Sequence, residues 1–282
     1  MSLRLVPLIV ALAACKAAEE APDDLVEGAT YTLGEAATYA FSGFDGDEAE
    51  LVVALLDLEA AMGELDVDVS NPKDRAYTLD KLTESQMGGA TMPPEADPAE
   101  QIATLVLGRS DHDVAANETI VAEPNQVCIE SNTTVYYART YTTDLDCFVD
   151  GTCDLVRSTN EVRKENALAK GWYDLFKDFR RVDLGDGRTA LVARSWIAEK
   201  FLGDNGNAEF AQTFTAEIWI PDGETSLRAY AMWAEINIGL GDDIMQNVII
   251  DGVDEGMENA DGWLAGDDTY CNLDRGRAYD RE

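Results

Sequence analysis

The chain has a single histidine, His112, among its 282 residues, with no HExxH, no CxxC and no second imidazole to share a metal with it. It also lacks the GxSxG elbow, the Walker phosphate loop and the dinucleotide GxGxxG, so the common nucleophile and cofactor signatures are missing. Ser70-Asn71-Pro72-Lys73 spells SxxK, but that serine must open a helix with the lysine one turn along, whereas Pro72 and its charged neighbours favour a loop and no KTG partner exists. His112 stands between Asp111 and Asp113, which is the setting of a solvated surface residue rather than the base of a triad. The sequence therefore offers no catalytic residue, no metal site and no cofactor motif.

Basic side chains are scarce. Lys and Arg number 21 against 55 Asp and Glu, a formal charge of −34, which makes nucleic acid and anionic headgroups poor partners. The acidic excess is spread along a chain that is 46% hydrophobic, so it reads as a hydrated shell on a folded body rather than as disorder. A cation-binding role is the sharper alternative. The acidic stretches Asp144, Asp146, Asp150 and Asp204-Asn205-Gly206-Asn207 carry calcium-type oxygen ligands, but without EF-hand spacing, and hairpin turns use the same residues for backbone reasons.

No apolar run reaches the roughly 20 residues that a membrane-spanning helix needs. The N-terminal run Leu5 to Ala14, broken by Pro7, is too short, and Arg4 precedes it, as in the charged and apolar regions of an export signal. It ends in Leu12-Ala13-Ala14-Cys15, which resembles the lipobox of bacterial lipoproteins. The resemblance implies that residues 1–14 are a signal peptide removed on export. It also implies that Cys15 is lipidated and carries fatty chains such as palmitate, anchoring the protein to a membrane of the cell envelope. In that family an aspartate after the cysteine retains proteins at the inner membrane, and Lys16 in its place points to the outer one. Residues 15–29 are charged without apolar periodicity and read as a solvated tether.

Four further cysteines, Cys128, Cys147, Cys153 and Cys271, suggest two disulfides in an exported protein. Of three connectivities, the favoured one joins Cys147 to Cys153 across a short loop with an Asp150-Gly151 turn and Cys128 to Cys271; a metal site is the competitor.

Thr32 and Glu35 form a capping box for a short helix through Phe41, and Leu51, Leu55, Leu58 and Met62 recur at helical spacing over Asp47 to Met62. These lie in a helical N-terminal region, residues 30–87, divided by the Gly- and Pro-rich linker 88–98 from an antiparallel α+β domain at 99–282. Within that domain, Asp186-Gly187, Asn205-Gly206 and Asp222-Gly223 are tight-turn pairs between aromatic and aliphatic runs. They predict a meander of strands at 176–184, 189–202, 208–220 and 226–238. A hairpin at 134–142 and 155–162 precedes it, with a strand at 102–108 and a helix at 112–122 further upstream. A long helix from Asp242 or Asp243 closes the domain, with Met245, Val248, Ile249 and Val253 in an apolar stripe and Gly252 and Gly256 spaced for close approach to a sheet. This order over 100–264 is similar to the helix-grip topology of START-like proteins, which implies a curved antiparallel sheet packed on that helix and often a ligand cavity.

With each pair centred in a two-residue turn, Phe210, Gln212, Phe214, Ala216 and Ile218 face Phe201, Glu199, Ile197, Ser195 and Ala193 on one side. Glu235, Trp233, Ala231, Ala229 and Leu227 flank them on the other side. On the reverse face Glu217 falls between Arg194 and Arg228. The apolar face thus carries Glu199, Gln212 and Glu235 beside Trp233, Phe210 and Phe214, and buried carboxylates need a reason. One reason is the mouth of a cavity for an apolar or amphipathic ligand; another is an acid and base pair, Glu199 and Glu235, of a hydrolase acting on an envelope polymer. The first makes the chain a non-enzymatic binding domain for a small ligand or an envelope protein, the second an enzyme.

Overall fold

The computed structural model describes residues 18–23, 25–165, 170–204, 206 and 208–267; Cys15 and Cys271 lie outside the described residues. The chain begins with β1 (Glu19–Glu20), α1 (Leu33–Ser42), α2 (Glu48–Gly63), β2 (Ala76–Thr78), β3 (Ile102–Ser110) and α3 (Val114–Ala122). It continues with β4 (Thr134–Tyr141), α4 (Leu145–Val149), β5 (Leu155–Glu165), β6 (Lys170–Gly185), β7 (Arg188–Ile197), β8 (Phe201–Leu202), β9 (Glu209–Asp222), β10 (Thr225–Asn237) and α5 (Asp242–Leu264). The sheet order is β1-β2-β3-β10-β9-β7-β6-β5-β4, with β8 on β9. Apart from β8, consecutive strands from β4 to β10 are neighbours, and β3 lies on the far side of β10, with β2 and β1 beyond it. This is the α+β arrangement expected from the sequence, an antiparallel meander with a long C-terminal helix.

Local chemistry accounts for most of the elements. The Thr32 and Glu35 capping box opens α1, and Asp47 caps α2 through Ala49 N–H. Asp186 and Gly187 both adopt positive φ, 53° and 75°, between paired Gly185 and Arg188, the left-handed turn whose twist suits a hairpin. The Cys147–Cys153 disulfide closes the α4 loop as expected. Cys128 is also disulfide-bonded.

Two turns depart from expectation. Asp222 pairs with Thr225, so the β9–β10 turn is centred on Gly223-Glu224. That shifts the register by two residues and keeps the side chains from Gln212 to Ile220 on their expected face, whereas a further one-residue slip between Gln212 and Phe210 turns Phe210 to the other. The β7–β9 ladder is different: Trp196, not Ile197, opposes Phe214, whereas Phe201 opposes Phe210 as expected. The difference falls between the bend at Ala198 and Glu199 and, across from it, the stretch of β9 from Phe210 to Gln212, where the ladder with β10 also slips by one residue. A slip of one residue turns β7 over, because side chains alternate with period two. Arg194 therefore opposes Ala216 and points away from Glu217.

Helices cover both sheet faces. On one side α1 and α2 share a single hydrophobic cluster with β3, β6, β7, β9 and β10, in which Leu51, Leu55, Leu58 and Met62 of α2 are buried. Phe41 sits at its centre, edge-on to Phe214 at 5.7 Å and tilted against Trp233 at 5.8 Å. Phe41→Ala should lower stability by about 3–5 kcal/mol, read as a reduced denaturant midpoint with unchanged slope. On the other side lie α3 and α5, with Ile249, Ile250 and Val253 packed on Val106 and Ala234. The segment expected to be a solvated tether is held from Ala18 onwards: Ala18 N–H donates to Gln246 of α5, and β1 pairs in parallel with β2.

Candidate ligand cavity

Between α5 and the sheet face turned away from α1 and α2 lies a cavity of about 290 Å³. Its wall is built from alternate residues of neighbouring strands: Thr213, Thr215, Glu217 and Trp219 of β9 and Arg228, Tyr230 and Met232 of β10. Strand β6 adds Tyr173, Leu175, Lys177 and Phe179, and β7 adds Ser195 and Ile197. Its opposite side is α5, through Met245, Val248, Ile249 and Val253. Gly252 and Gly256 line the same space. A Cβ at Gly252 would meet nothing within 4 Å, and one at Gly256 only Ser131 N at 3.8 Å. The glycines thus widen the gap under the helix, where the sequence suggests close approach to the sheet.

The polar groups of the wall are mostly satisfied by one another. Lys177 Nζ donates to Glu217 Oε1 at 2.6 Å, with side chains only 6% and 15% exposed. Burial opposes the Lys177 ammonium, yet Glu217, with smaller help from Tyr137 and Glu130, outweighs it and the pKa rises above its ordinary value. Ser195 Oγ and Thr215 Oγ1 share a hydrogen bond of 2.6 Å. Burial pushes the Tyr173 and Tyr230 phenols well above their usual range and keeps both neutral. Towards α3, Arg228 donates to Asn117 Oδ1 at 2.5 Å and Met257 O at 2.9 Å and lies 3.2 Å from Asp261. Burial lowers the Arg228 pKa despite Asp261, and burial raises that of Asp261. Arg228 Nε and Trp219 Nε1 are buried without a hydrogen-bond partner among the described residues.

Of the six residues singled out from the sequence, Phe210 lines this cavity, stacked on Phe201 at 4.9 Å. Phe214 and Trp233 lie beneath Phe41 on the opposite face, and Trp233 Nε1 donates to Asp80 O. Gln212 is wholly buried there, donating to Asp97 O at 2.6 Å and to Glu235 Oε2 at 2.9 Å, so the Glu235 carboxylate is engaged away from the cavity. Glu199 is exposed in the bend after β7. The aromatic face was the conspicuous one in the sequence, but it is the surface that the N-terminal helices cover. The cavity face carries a weaker signal, the alternation Thr213, Thr215, Glu217 opposite Tyr230 and Met232, and in β6 the lysine Lys177 in step with Tyr173, Leu175 and Phe179. Glu217 does sit in an ion pair, with Lys177 rather than with Arg194. His112 is structural: its Nε2 faces Asp261 O at 3.2 Å. Among the described residues no group of three or more His, Cys, Asp or Glu is placed to hold a metal ion.

No family model and no curated protein matches the sequence. Among solved structures, the chain is similar to a STAR-related lipid transfer protein from Xanthomonas axonopodis, at 11% identity over 67% of this chain and 92% of that one, with a TM-score of 0.44. It is similar to the human StarD13 lipid transfer and protein localization domain at 9% identity over 67% and 82% of the two chains, TM-score 0.39. A START superfamily protein from Mycobacterium smegmatis matches at 8% identity over 58% and 97%, TM-score 0.37. These are distant likenesses of chain trace, and the grip of the antiparallel sheet on α5 is established by the strand order and the packing described above.

Proposed function

We propose that this chain is an exported, lipid-anchored binding domain that holds an apolar or amphipathic small molecule between α5 and the sheet. The observation that carries the reading is the cavity itself. It lies near the lower end of the roughly 300–1,000 Å³ usual for small-molecule sites, and its wall is largely apolar with a few convergent polar groups. The anchor follows from Leu12-Ala13-Ala14-Cys15, with Lys16 favouring the outer membrane. A membrane-held body with an apolar cavity suits molecules too insoluble to travel free in water.

The test is mass spectrometry of small molecules extracted from the purified mature protein, paired with titration of a solvatochromic dye. One class of apolar compound should be recovered in near-stoichiometric amount, and the dye should compete with it. Recovery of nothing, together with no dye binding, would remove the ligand-binding role and leave a protein partner as the reading to pursue.

A further inference from the structure

Resting on that reading, we infer that the cavity selects amphiphiles whose polar end is uncharged and bears oxygen, an alcohol or a ketone, against fatty acids and amines. The polar groups of the wall form one patch across four strands. Lys177 of β6 opposes Ser195 of β7, Ser195 opposes Thr215 of β9, and Glu217, two residues further along β9, opposes Tyr230 of β10. All five line the cavity among mostly apolar side chains, with Glu130, Lys164, Arg228 and Glu255 the other charged groups of the lining.

The charges of this patch are already balanced. Lys177 and Glu217 are bound to each other at 2.6 Å and nearly shut off from water. A carboxylate brought to Lys177 would have to draw the ammonium away and leave Glu217 as a buried anion. An ammonium brought to Glu217 would strand Lys177 in the same way. Either outcome leaves an uncompensated buried charge, the costly arrangement in a low-dielectric interior. Of the other cations lining the cavity, Arg228 already has its counter-charge in Asp261 and its terminal nitrogens are taken up by Asn117 and the Met257 carbonyl, leaving only Nε open, and Lys164 is half-buried on β5, outside the four strands of the patch. An uncharged oxygen meets no such penalty. The Ser195 and Thr215 hydroxyls can turn to donate or accept, and Trp219 Nε1 and Arg228 Nε lack an acceptor.

The experiment uses the chain from residue 15 with Cys15→Ser, which removes the acyl groups and the need for detergent. Four ten-carbon probes, 1-decanol, 2-decanone, decanoate and decylamine, are titrated near neutral pH by calorimetry and by dye displacement. The alcohol and ketone should bind at least about tenfold more tightly than the acid and amine. Glu217→Gln leaves Lys177 without its counter-ion and should raise decanoate affinity by about tenfold or more, with decanol nearly unchanged; Lys177→Gln should do the same for decylamine. A merely structural role for the pair would weaken all four probes together. Equal binding of decanol and decanoate to the unsubstituted pair overturns the selectivity and leaves the ligand-binding role standing, whereas failure of all four probes and the dye removes both. The comparison among probes needs no folded variant.

Discussion

Arg194→Met should lower stability by about 3–5 kcal/mol, the loss expected when one partner of a buried ion pair is removed. Arg194 is 1% exposed, on the sheet face away from the cavity, and its guanidinium is fully used. It donates to Asp178 Oδ2 from Nε at 3.2 Å and from Nη2 at 3.0 Å, to Gly88 O from Nη1 at 2.6 Å, and to Asp45. Its Cζ lies over the Phe44 ring, 4.5 Å from the ring centre. These contacts fasten the α1–α2 connection and the Gly88 turn to the middle of the sheet. Methionine fills part of the space but leaves Asp178, itself buried, with only Arg157 at 3.8 Å as a counter-charge. The pH dependence identifies the mechanism. Burial raises the Asp178 pKa above 3.8, although Arg194 and Arg157 pull it down. A carboxyl whose folded pKa exceeds its unfolded value binds more protons when folded, so its contribution is fully present below the unfolded pKa and is lost as pH rises through the folded one. Without Arg194 the rise is larger, and the deficit should be greatest near neutral pH and shrink just above the ordinary carboxylate range. Urea unfolding at two pH values checks this. A deficit independent of pH would assign the damage to lost packing on Phe44.

The elements legible in the sequence are those fixed by short-range chemistry. The caps at Thr32 and Asp47, the stripe of α2, the Asp186-Gly187 turn and the Cys147–Cys153 loop each depend on residues close in sequence. Together with the rule that short turns join neighbouring strands, they suffice for the meander and for α5. The candidate site was legible only as a guess at which sheet face mattered, and that guess turned on two long-range facts. The slip between Phe210 and Gln212, across from the bend at Ala198 and Glu199, carries no turn signature, yet a single residue there decides which face of β9 meets which face of β7. The covering of Phe214 and Trp233 by Phe41 joins segments far apart in the chain. The role of Lys177 is hidden in the sequence for the same reason: a lysine inside a strand shows its burial only when Glu217, three strands along in sequence order, is placed against it.

Cys15→Ser should move the protein almost wholly from the membrane fraction to the soluble fraction of the cell envelope. Acyl chains bind bilayers by about 0.8 kcal/mol per buried CH₂, and stable anchoring takes two signals, so losing every chain leaves nothing of comparable strength. The rest of the molecule supplies no substitute. A charge of −34 opposes residence at an anionic surface, and among the described residues no helix is long and apolar enough to cross a membrane. The anchor would also fix how the body is presented. Only three peptide steps separate Cys15 from Ala18, a reach of about 10 Å, and Ala18 is fastened to Gln246 of α5. A lipidated Cys15 would therefore hold the first turns of α5 close to the bilayer. There Leu240, Ile244 and Val248 are 38–44% exposed, and Val248 also lines the cavity. On vesicles of zwitterionic lipid the acylated protein should show slowed amide exchange over 240–248 and unchanged exchange at the Asp186-Gly187 turn. Retention of the Cys15→Ser chain in the membrane fraction would point to a second attachment. Quantitative flotation of the acylated protein without protection of 240–248 would keep the anchor and discard the orientation.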